Sequence, residues 1–190
     1  MPMMQKARTD LPLGGEDGLP EGNSPIRTVC FTGHRQIDPA HAVLLPALLD
    51  AAIRELYGRG ARVFRAGGAI GFDTVAALKV LDLTPVLPGL ELELILPCRD
   101  QTSQWNVGNT RTYDYILSAA TRSRFLFDHY MEGCMLERDR QLVRGSDACV
   151  AYCARSRGGT AYTCALALRE GLELINLYER IQKRGKKDRL

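Results

Sequence analysis

Short apolar strands alternate with longer helical segments along most of this chain, and this alternation is the feature that most constrains its fold. The strand-like runs are IRTVCFT, ARVFRA, LELELILP, SRFLF, ACVAYC and LELIN, and the segments between them have mostly helical spacing. Strands joined through helices pair in parallel by right-handed crossovers, with helices on both faces of the sheet. The sequence therefore predicts an α/β fold, a Rossmann-like three-layer sandwich with a mostly parallel sheet.

Composition divides the chain into three parts. Residues 1–25 are rich in glycine and proline without a sustained period, which predicts a flexible arm, and residues 26–180 are predicted to form the Rossmann-like domain. Residues 181–190 form a basic tail with five basic residues against one acid, whereas Val29–Arg180 holds seventeen basic and seventeen acidic residues. The net charge of +3 thus comes from the tail, which predicts only a weak nucleic-acid contact there.

Membrane and metal signals are absent from the sequence. No apolar run reaches the roughly 18 residues of a membrane span, and no signal-peptide pattern opens the chain, so we predict a cytoplasmic protein without a membrane partner. The six cysteines form no C-x-x-C pair, and the three histidines have no ligand-spaced neighbours. No metal site is therefore predicted.

Four loops that follow predicted strands combine glycine, arginine and polar residues. They are TGHR (32–35), GGAIGFD (67–73), PCRDQ (97–101) and RGGT (157–160). Such loops meet at the carboxyl edge of a parallel sheet, where ligands bind in folds of this kind. Glycines let backbone N–H groups approach a ligand, and helices that begin after the loops add unpaired donors and a positive dipole end. This edge is therefore predicted to bind a phosphorylated small molecule.

Charged residues in and beside these loops allow two interpretations. Guanidinium groups bind phosphate or form ion pairs with nearby aspartates, and both roles stay open for Arg35, Arg99, Arg138 and Arg157. Asp73 either accepts from a ribose hydroxyl or caps its helix, and the cap is slightly favoured.

The aromatic and histidine residues give weaker signals. Trp105, Tyr113 and Tyr115 either stack on a base or seal a loop against the core, and burial statistics favour the seal. His34 has no partner in sequence for proton transfer. The motifs G-x-S-x-G, H-E-x-x-H and G-x-G-x-x-G and a Walker lysine are absent, which argues against an ordinary NAD dehydrogenase. The sequence assigns neither a catalytic residue nor a cofactor.

Five motifs in order resemble the YpsA-like family: VCFTGHR, RAGGAIGFDTVAA, LILPCRDQ followed by Trp105, ERDRQLVRGSDACVAY and RGGTAYT. That family is part of the SLOG superfamily, named for the Smf/DprA and LOG proteins, and the resemblance covers about Val29–Leu177. It implies a Rossmann-like domain that binds a nucleotide or a nucleotide-derived ligand, and the likeness to LOG proteins implies a homo-oligomer, a homodimer. The resemblance places these residues at the ligand edge: Thr32, Gly33, His34, Arg35, Gly67, Gly68, Gly71, Asp73, Gln101, Arg138, Gly158, Gly159 and Thr160.

Two positions depart from the related motifs. Arg138 is followed by Asp139 where the YpsA-like pattern usually has asparagine, so a group that can donate and accept has become an acceptor only. Thr163 stands where the PGGxGTxxE motif of LOG phosphoribohydrolases has its catalytic glutamate.

Three functions remain open from the sequence. Binding or sensing of a nucleotide or phosphorylated nucleotide-derived ligand is favoured. Nucleotide N-glycosidic hydrolysis is the second, with Asp73, Asp100 and Asp139 as the available acids. DprA-like single-stranded DNA binding is the third.

Overall fold

The computed structural model describes residues 25–187, which contain six strands and seven helices. The strands are β1 (Thr28–Gly33), β2 (Val63–Ala66), β3 (Glu91–Cys98), β4 (Arg122–Phe127), β5 (Ala148–Tyr152) and β6 (Glu173–Asn176). The helices are α1 (Pro39–Ala42), α2 (Leu45–Gly58), α3 (Phe72–Leu83), α4 (Val107–Ala119), α5 (Cys134–Val143), α6 (Gly159–Arg169) and α7 (Leu177–Lys187). The arm predicted for residues 1–25 lies outside the described residues except for its last position. Within residues 25–187, no helix has both the length and the apolar character needed to cross a bilayer.

All six strands form one parallel sheet with the order β4-β3-β2-β1-β5-β6. The strand order reverses beside β1, because β2 to β4 follow on one side and β5 and β6 on the other. Helices that follow β1 and β5 therefore pack on opposite faces of the sheet and leave a crevice between their loops. The α/β Rossmann-like sandwich predicted from the sequence is confirmed, and its sheet is wholly parallel in the described chain.

Helices cover both faces because each strand directs alternate side chains into two apolar cores. Val29 and Phe31 of β1 belong to the larger core with α2, α3, α4 and α7, whereas Cys30 belongs to the smaller core with α5 and α6. Burial on both faces accounts for the nearly continuous apolar sequences of β1, β3 and β5.

One charged pair lies on the face of the sheet that carries the smaller core. Arg65 of β2 is the register partner of Glu93 of β3, and the Arg65 Nε lies 2.7 Å from the Glu93 Oε2. The two side chains are 19% and 21% exposed. Arg65 also donates to the Arg144 carbonyl oxygen at 2.8 Å, which ties the pair to the end of α5.

The pair Asp38-Pro39 predicts an N-cap and a first-turn proline for a helix that ends near Gly58 to Gly60, and the observed helix begins there but is then interrupted. The Asp38 carboxylate accepts from the Ala40 N–H at 2.9 Å, and Pro39 takes the first helical position. The helix predicted to run on to about Gly58 is divided into α1 and α2. Because Pro46 has no N–H, a continuous helix would leave the Ala42 carbonyl without its donor.

Helix α7 is the one long element that the sequence pattern does not predict. It follows β6 directly at the carboxyl edge of the sheet, and Ile181 packs into the larger core. Arg180 contacts Glu55 near the C-terminal end of α2, at 3.7 Å between Nη1 and Oε2. The C-terminal end of α2 leads into the start of β2 and therefore lies near the amino edge of the sheet. Because Arg180 contacts Glu55 there, α7 runs from the carboxyl edge toward the amino edge.

Candidate functional site

The carboxyl ends of β1, β2 and β5 surround a cavity of about 370 Å³, which we name the β1–β5 cavity. Nine of the thirteen residues that the resemblance places at the ligand edge line it: Thr32, Gly33, His34, Arg35, Asp73, Arg138, Gly158, Gly159 and Thr160. Eight further residues complete the lining: Phe31, Ala69, Met135, Leu136, Asp139, Leu142, Arg155 and Arg157. The crevice expected at the reversal of strand order therefore contains most of the expected residues.

Arg138 lines the cavity and is the centre of a buried polar cluster. Its Nη1 donates to the Gly67 carbonyl oxygen at 2.7 Å, and its Nε donates to Asp139 Oδ1 at 2.8 Å. The Asp73 carboxylate lies 3.7 Å from the same Nη1. The Arg138 side chain is only 11% exposed, so one cation is held between two carboxylates away from solvent.

The Asp73 carboxylate stabilises the loop before its helix instead of capping that helix. Its Oδ2 accepts from the N–H groups of Gly67 at 3.1 Å and Ala69 at 3.4 Å, whereas Gly71 occupies the N-cap of α3. Burial raises the pKa of Asp73 to about 6, although Arg138 and these two N–H donors act in the opposite direction. The contacts therefore do not show the helix cap that the sequence favoured for Asp73.

Asp139 is the second buried acid of the cluster. Burial raises the pKa of its carboxyl, and Arg138 and the Thr163 hydroxyl partly offset this increase. The Thr163 hydroxyl lies near the Asp139 carboxylate and is 2.9 Å from the Gly159 carbonyl oxygen, four residues earlier in α6. Asp139 and Thr163, the two positions that depart from the related motifs, are therefore neighbours in space.

Gly67 is needed because the Arg138 guanidinium lies against its backbone. A Cβ built at Gly67 would lie 2.1 Å from the Arg138 Nη1 and 2.7 Å from its Cζ. Gly67 does not line the cavity, so its effect on the site comes through the position of Arg138.

The N-terminal loop of α3 is packed tightly against the TGHR loop. A Cβ at Gly71 would lie 2.3 Å from the Arg35 carbonyl oxygen, and the Phe72 N–H donates to the His34 carbonyl oxygen at 3.1 Å. Gly71 also has φ +89° and ψ −123°, a combination that side-chain-bearing residues rarely adopt. This glycine therefore fixes where Arg35 stands.

His34 connects the loops that follow β1 and β5. Its Nε2 accepts from the Ala154 N–H at 2.8 Å, which places the ring proton of the neutral imidazole on Nδ1. Partial burial, and secondarily the Arg155 charge, lowers the pKa of His34. The contacts describe a neutral histidine that holds two loops together at the cavity wall.

The mouth of the β1–β5 cavity is positively charged. Arg35, Arg155 and Arg157 are exposed there and form no ion pair with any residue between 25 and 187. Helix α6 begins beside them at Gly159, and no side chain caps its first N–H groups. Arg155 was missed by the sequence analysis, although it stands in the same loop as RGGT and could have been included on that ground.

Gln101 lies outside the β1–β5 cavity. Its Nε2 donates to the Gly68 carbonyl oxygen at 3.0 Å, and it lines a separate cavity beside Trp105. Of the thirteen expected residues, Gly67, Gly68, Gly71 and Gln101 support or adjoin the first cavity without lining it. Among the described residues, no three of the histidines, cysteines and acids are grouped as a metal site would require.

Replacing Gly71 with alanine should destabilise the domain much more than the same change at Gly133. Gly133 is the N-cap of α5, has φ +83° and has open space around it, so alanine there costs only about 1–2 kcal/mol of backbone strain. At Gly71 the clash with the Arg35 carbonyl adds about 1–3 kcal/mol. Chemical denaturation of the two variants measures the difference. Equal losses would show that the close approach of the two loops contributes nothing to stability.

A parallel sheet with a cavity open at the reversal of its strand order places this protein in the class of Rossmann-like α/β domains. The family follows from the sequence, since the YpsA model, described as the YspA SLOG family, matches residues 29–173. The chain belongs to this family, and the resemblance inferred from its five motifs is confirmed. No curated protein matches the chain.

Solved structures with a similar fold include DNA processing protein A (DprA) from two organisms. The protein from Streptococcus pneumoniae is 20% identical with a TM-score of 0.58, and the match covers 78% of this chain and 49% of that one. The protein from Helicobacter pylori, described for its single-stranded DNA binding mode, is 21% identical with a TM-score of 0.56, and the match covers 85% and 74%. This chain thus spans about half the length of the first protein, and the likeness shows a shared fold.

Proposed function

We propose that this domain binds a nucleotide or a phosphorylated nucleotide-derived ligand in the β1–β5 cavity. The observation that carries the proposal is a set of three exposed arginines, Arg35, Arg155 and Arg157, that pair with no acid of the described chain and lie beside the uncapped start of α6. A volume of about 370 Å³ is within the range of small-molecule sites. Arginines and a helix N-terminus at one cavity mouth favour an anionic group there.

The floor of the cavity suits the sugar part of such a ligand. Asp139 has an oxygen within 3.8 Å of the Cβ position at Gly159, so a carboxylate lies beside the first turn of α6. Carboxylate oxygens accept from ribose hydroxyls, and the guanidinium of Arg138 keeps this acid oriented. A phosphate at α6 with its ribose above Asp139 uses both the exposed cations and the buried acid.

A panel of nucleotides tests this proposal by thermal shift. A ligand present at about 100 times its Kd adds roughly 2.7 kcal/mol to the free energy of unfolding. Arg157→Ala should weaken binding by about tenfold or more, because a charged hydrogen bond contributes about 1.5–3 kcal/mol. Arg169→Ala is the matched control, since that arginine is also exposed but lies outside the cavity.

Two results would contradict the proposal. If no nucleotide stabilises protein shown by native mass spectrometry to carry no bound ligand, the proposed function is wrong. If Arg157→Ala and Arg169→Ala weaken binding equally, the ligand does not use the β1–β5 cavity.

Nucleotide N-glycosidic hydrolysis is the second candidate, and one observation favours it. Two buried acids whose pKa values are raised, Asp73 and Asp139, line the same cavity. A carboxylate near the ribose would stabilise an oxocarbenium-like transition state, by analogy with glycoside hydrolysis. Release of free adenine from AMP, lost in Asp139→Asn, would support turnover; intact AMP after long incubation with concentrated protein would leave binding alone.

Single-stranded DNA binding is less well supported for this chain. The described basic residues of the tail, such as Lys183 and Arg184, lie toward the end of α7 that runs to the amino edge of the sheet. The β1–β5 cavity opens at the carboxyl edge. A DNA contact through the basic end of α7 would therefore be separate from the cavity.

A further inference from the structure

Three cavities adjoin along the carboxyl edge of the sheet, and Arg35 lines all of them. The first is the β1–β5 cavity. The second, of about 720 Å³, we name the Trp105 cavity; its lining includes Arg35, Asp100, Gln104, Trp105 and Tyr130. The third lies on the side of Tyr152 and Tyr178. The edge therefore offers room for a ligand longer than a mononucleotide.

Arg35 is held at the junction of these cavities by its backbone. The close approach of Gly71 and the hydrogen bond from the Phe72 N–H fix the TGHR loop against the start of α3. The Arg35 side chain is exposed and forms no ion pair within the described chain. A positive charge without a counter-charge is thus kept between the β1–β5 cavity and the Trp105 cavity.

The Trp105 cavity has the chemistry of a base site. Trp105 is half-buried and meets the Tyr113 ring edge to face, with ring centroids 5.6 Å apart, so its position is set by packing. Tyr130 is 64% exposed, and its N–H donates to the Asp100 carboxylate at 2.8 Å. Aromatic rings stack on any nucleobase, and the exposed amide of Gln104 can donate to and accept from a base edge.

The cavity on the other side of Arg35 is less suited to a base. Its Tyr152 ring is buried, and the hydroxyl is already bonded to the His41 Nδ1 at 2.8 Å. The Trp105 cavity is therefore the better receptor for a second ring.

We propose that the ligand contains two nucleosides joined through phosphate groups, with one nucleoside in the β1–β5 cavity, the linking phosphates at Arg35 and the second base in the Trp105 cavity. This inference rests on the proposed function, because it assigns the phosphate-bearing half of the ligand to the β1–β5 cavity. It also gives Trp105 a second role in addition to the predicted sealing of a loop against the core, since the same ring packs on Tyr113 and lines the Trp105 cavity.

A comparison of AMP with diadenosine diphosphate tests the proposal by calorimetry on the full chain. Stacking of the second base should make the dinucleotide bind roughly ten- to a hundredfold more tightly than AMP. The protein contains one tryptophan, so its fluorescence reports on this cavity alone. The dinucleotide should change the emission of Trp105, whereas ribose 5-phosphate, which has no base, should leave it unchanged.

Variants separate the second cavity from the first. Trp105→Leu retains apolar packing against Tyr113 but cannot stack, so the dinucleotide should lose its advantage while AMP binds as before. Gln104→Ala should weaken only the dinucleotide and does not disturb the core, because Gln104 is exposed. Tyr115→Ala is the control, since Tyr115 is an exposed aromatic on α4 outside both cavities.

The possible failures are distinguishable. If AMP binds and diadenosine diphosphate binds no more tightly, the two-nucleoside ligand is wrong and the proposed function stands. If the dinucleotide keeps its advantage in both Trp105→Leu and Gln104→Ala, the second base does not lie in the Trp105 cavity. If neither ligand binds, the proposed function fails and this inference fails with it.

Discussion

Replacing Arg138 with leucine should lower the free energy of unfolding by about 3–5 kcal/mol at pH 7, the largest effect that we expect from any single change at the site. Among residues 25–187, the guanidinium is the only cation in contact with the Asp73 and Asp139 carboxylates, and its side chain is 11% exposed. Without it, two like charges remain in a poorly solvated site. The Gly67 carbonyl also loses the donor that it has at 2.7 Å.

The loss should depend on pH, and a second variant should reverse it. Removal of the cation raises the pKa values of both acids further, so the deficit of Arg138→Leu should shrink toward pH 5 as the carboxyls take up protons. Adding Asp73→Asn and Asp139→Asn should recover much of the stability at pH 7. Chemical denaturation at the two pH values gives the comparison.

Arg65 provides the control for this prediction. It is also in a partly buried ion pair on the sheet, but with the single acid Glu93 and with 19% and 21% of the two side chains exposed. Arg65→Leu should therefore cost less than Arg138→Leu. If the two variants lose the same stability, or if the triple variant is no more stable than Arg138→Leu, the buried cluster does not carry the energy assigned to it.

The second large effect is a pH dependence that Asp73 gives to the folded state. Burial raises its pKa from 3.8 to about 6 in the native protein. Between these values the native state keeps a proton that the unfolded chain has released. The free energy of unfolding therefore falls as pH rises through this window, and the contribution of Asp73 above it is lower by about 3 kcal/mol.

Asp73→Asn isolates this contribution. The amide oxygen can still accept from the N–H groups of Gly67 and Ala69, but the side chain no longer titrates. Relative to the native sequence, the variant should therefore gain stability steadily from pH 4 to pH 6.5. Carboxyls outside the cluster contribute equally to both proteins, so the difference between the two curves reports on Asp73 together with its charge interaction with Asp139. A constant difference over this range would mean that the Asp73 pKa is not raised.

The strands and the site-forming loops were predictable because they depend on local signals. Short apolar runs identified all six strands, and the loops after β1, β2 and β5 were identified by composition. Parallel pairing then brings such loops to one edge without any knowledge of side-chain contacts. This is why nine of the expected residues line one cavity.

The remaining parts of the site depend on contacts between distant residues. Gly67 and Arg138 are 71 positions apart, and nothing in either segment shows that a guanidinium occupies the space of a missing side chain. The segment MLERDRQLV, which lies between two strand-like runs, predicts a helix around Arg138 but not that Met135 and Leu136 face the cavity. The role of Asp73 was also not predictable. An aspartate near a helix start either caps the helix or accepts from the preceding loop, and the sequence does not distinguish the two.

Helix α7 was missed because its sequence is dominated by charge. Of the α7 side chains between residues 177 and 185, only Leu177 and Ile181 are in the larger core at less than a tenth exposed, which is too few to show a helical period. The division of the chain at residue 180 falls inside this helix. Substitution of exposed residues such as Lys183 and Arg184 is thus a better test of a nucleic-acid contact than removal of the segment, since removal would also take away Ile181.

The Arg65–Glu93 pair has a consequence for how the strands align during folding. A shift of β2 against β3 by one residue would turn Arg65 toward the larger core and separate it from Glu93. Arg65 would then be enclosed among apolar side chains without a counter-charge, and Glu93 would lose its partner. An apolar pair at these positions would fill the same space but would tolerate the misaligned chain. The ion pair thus makes the native alignment of β2 and β3 the one in which neither charge is left alone.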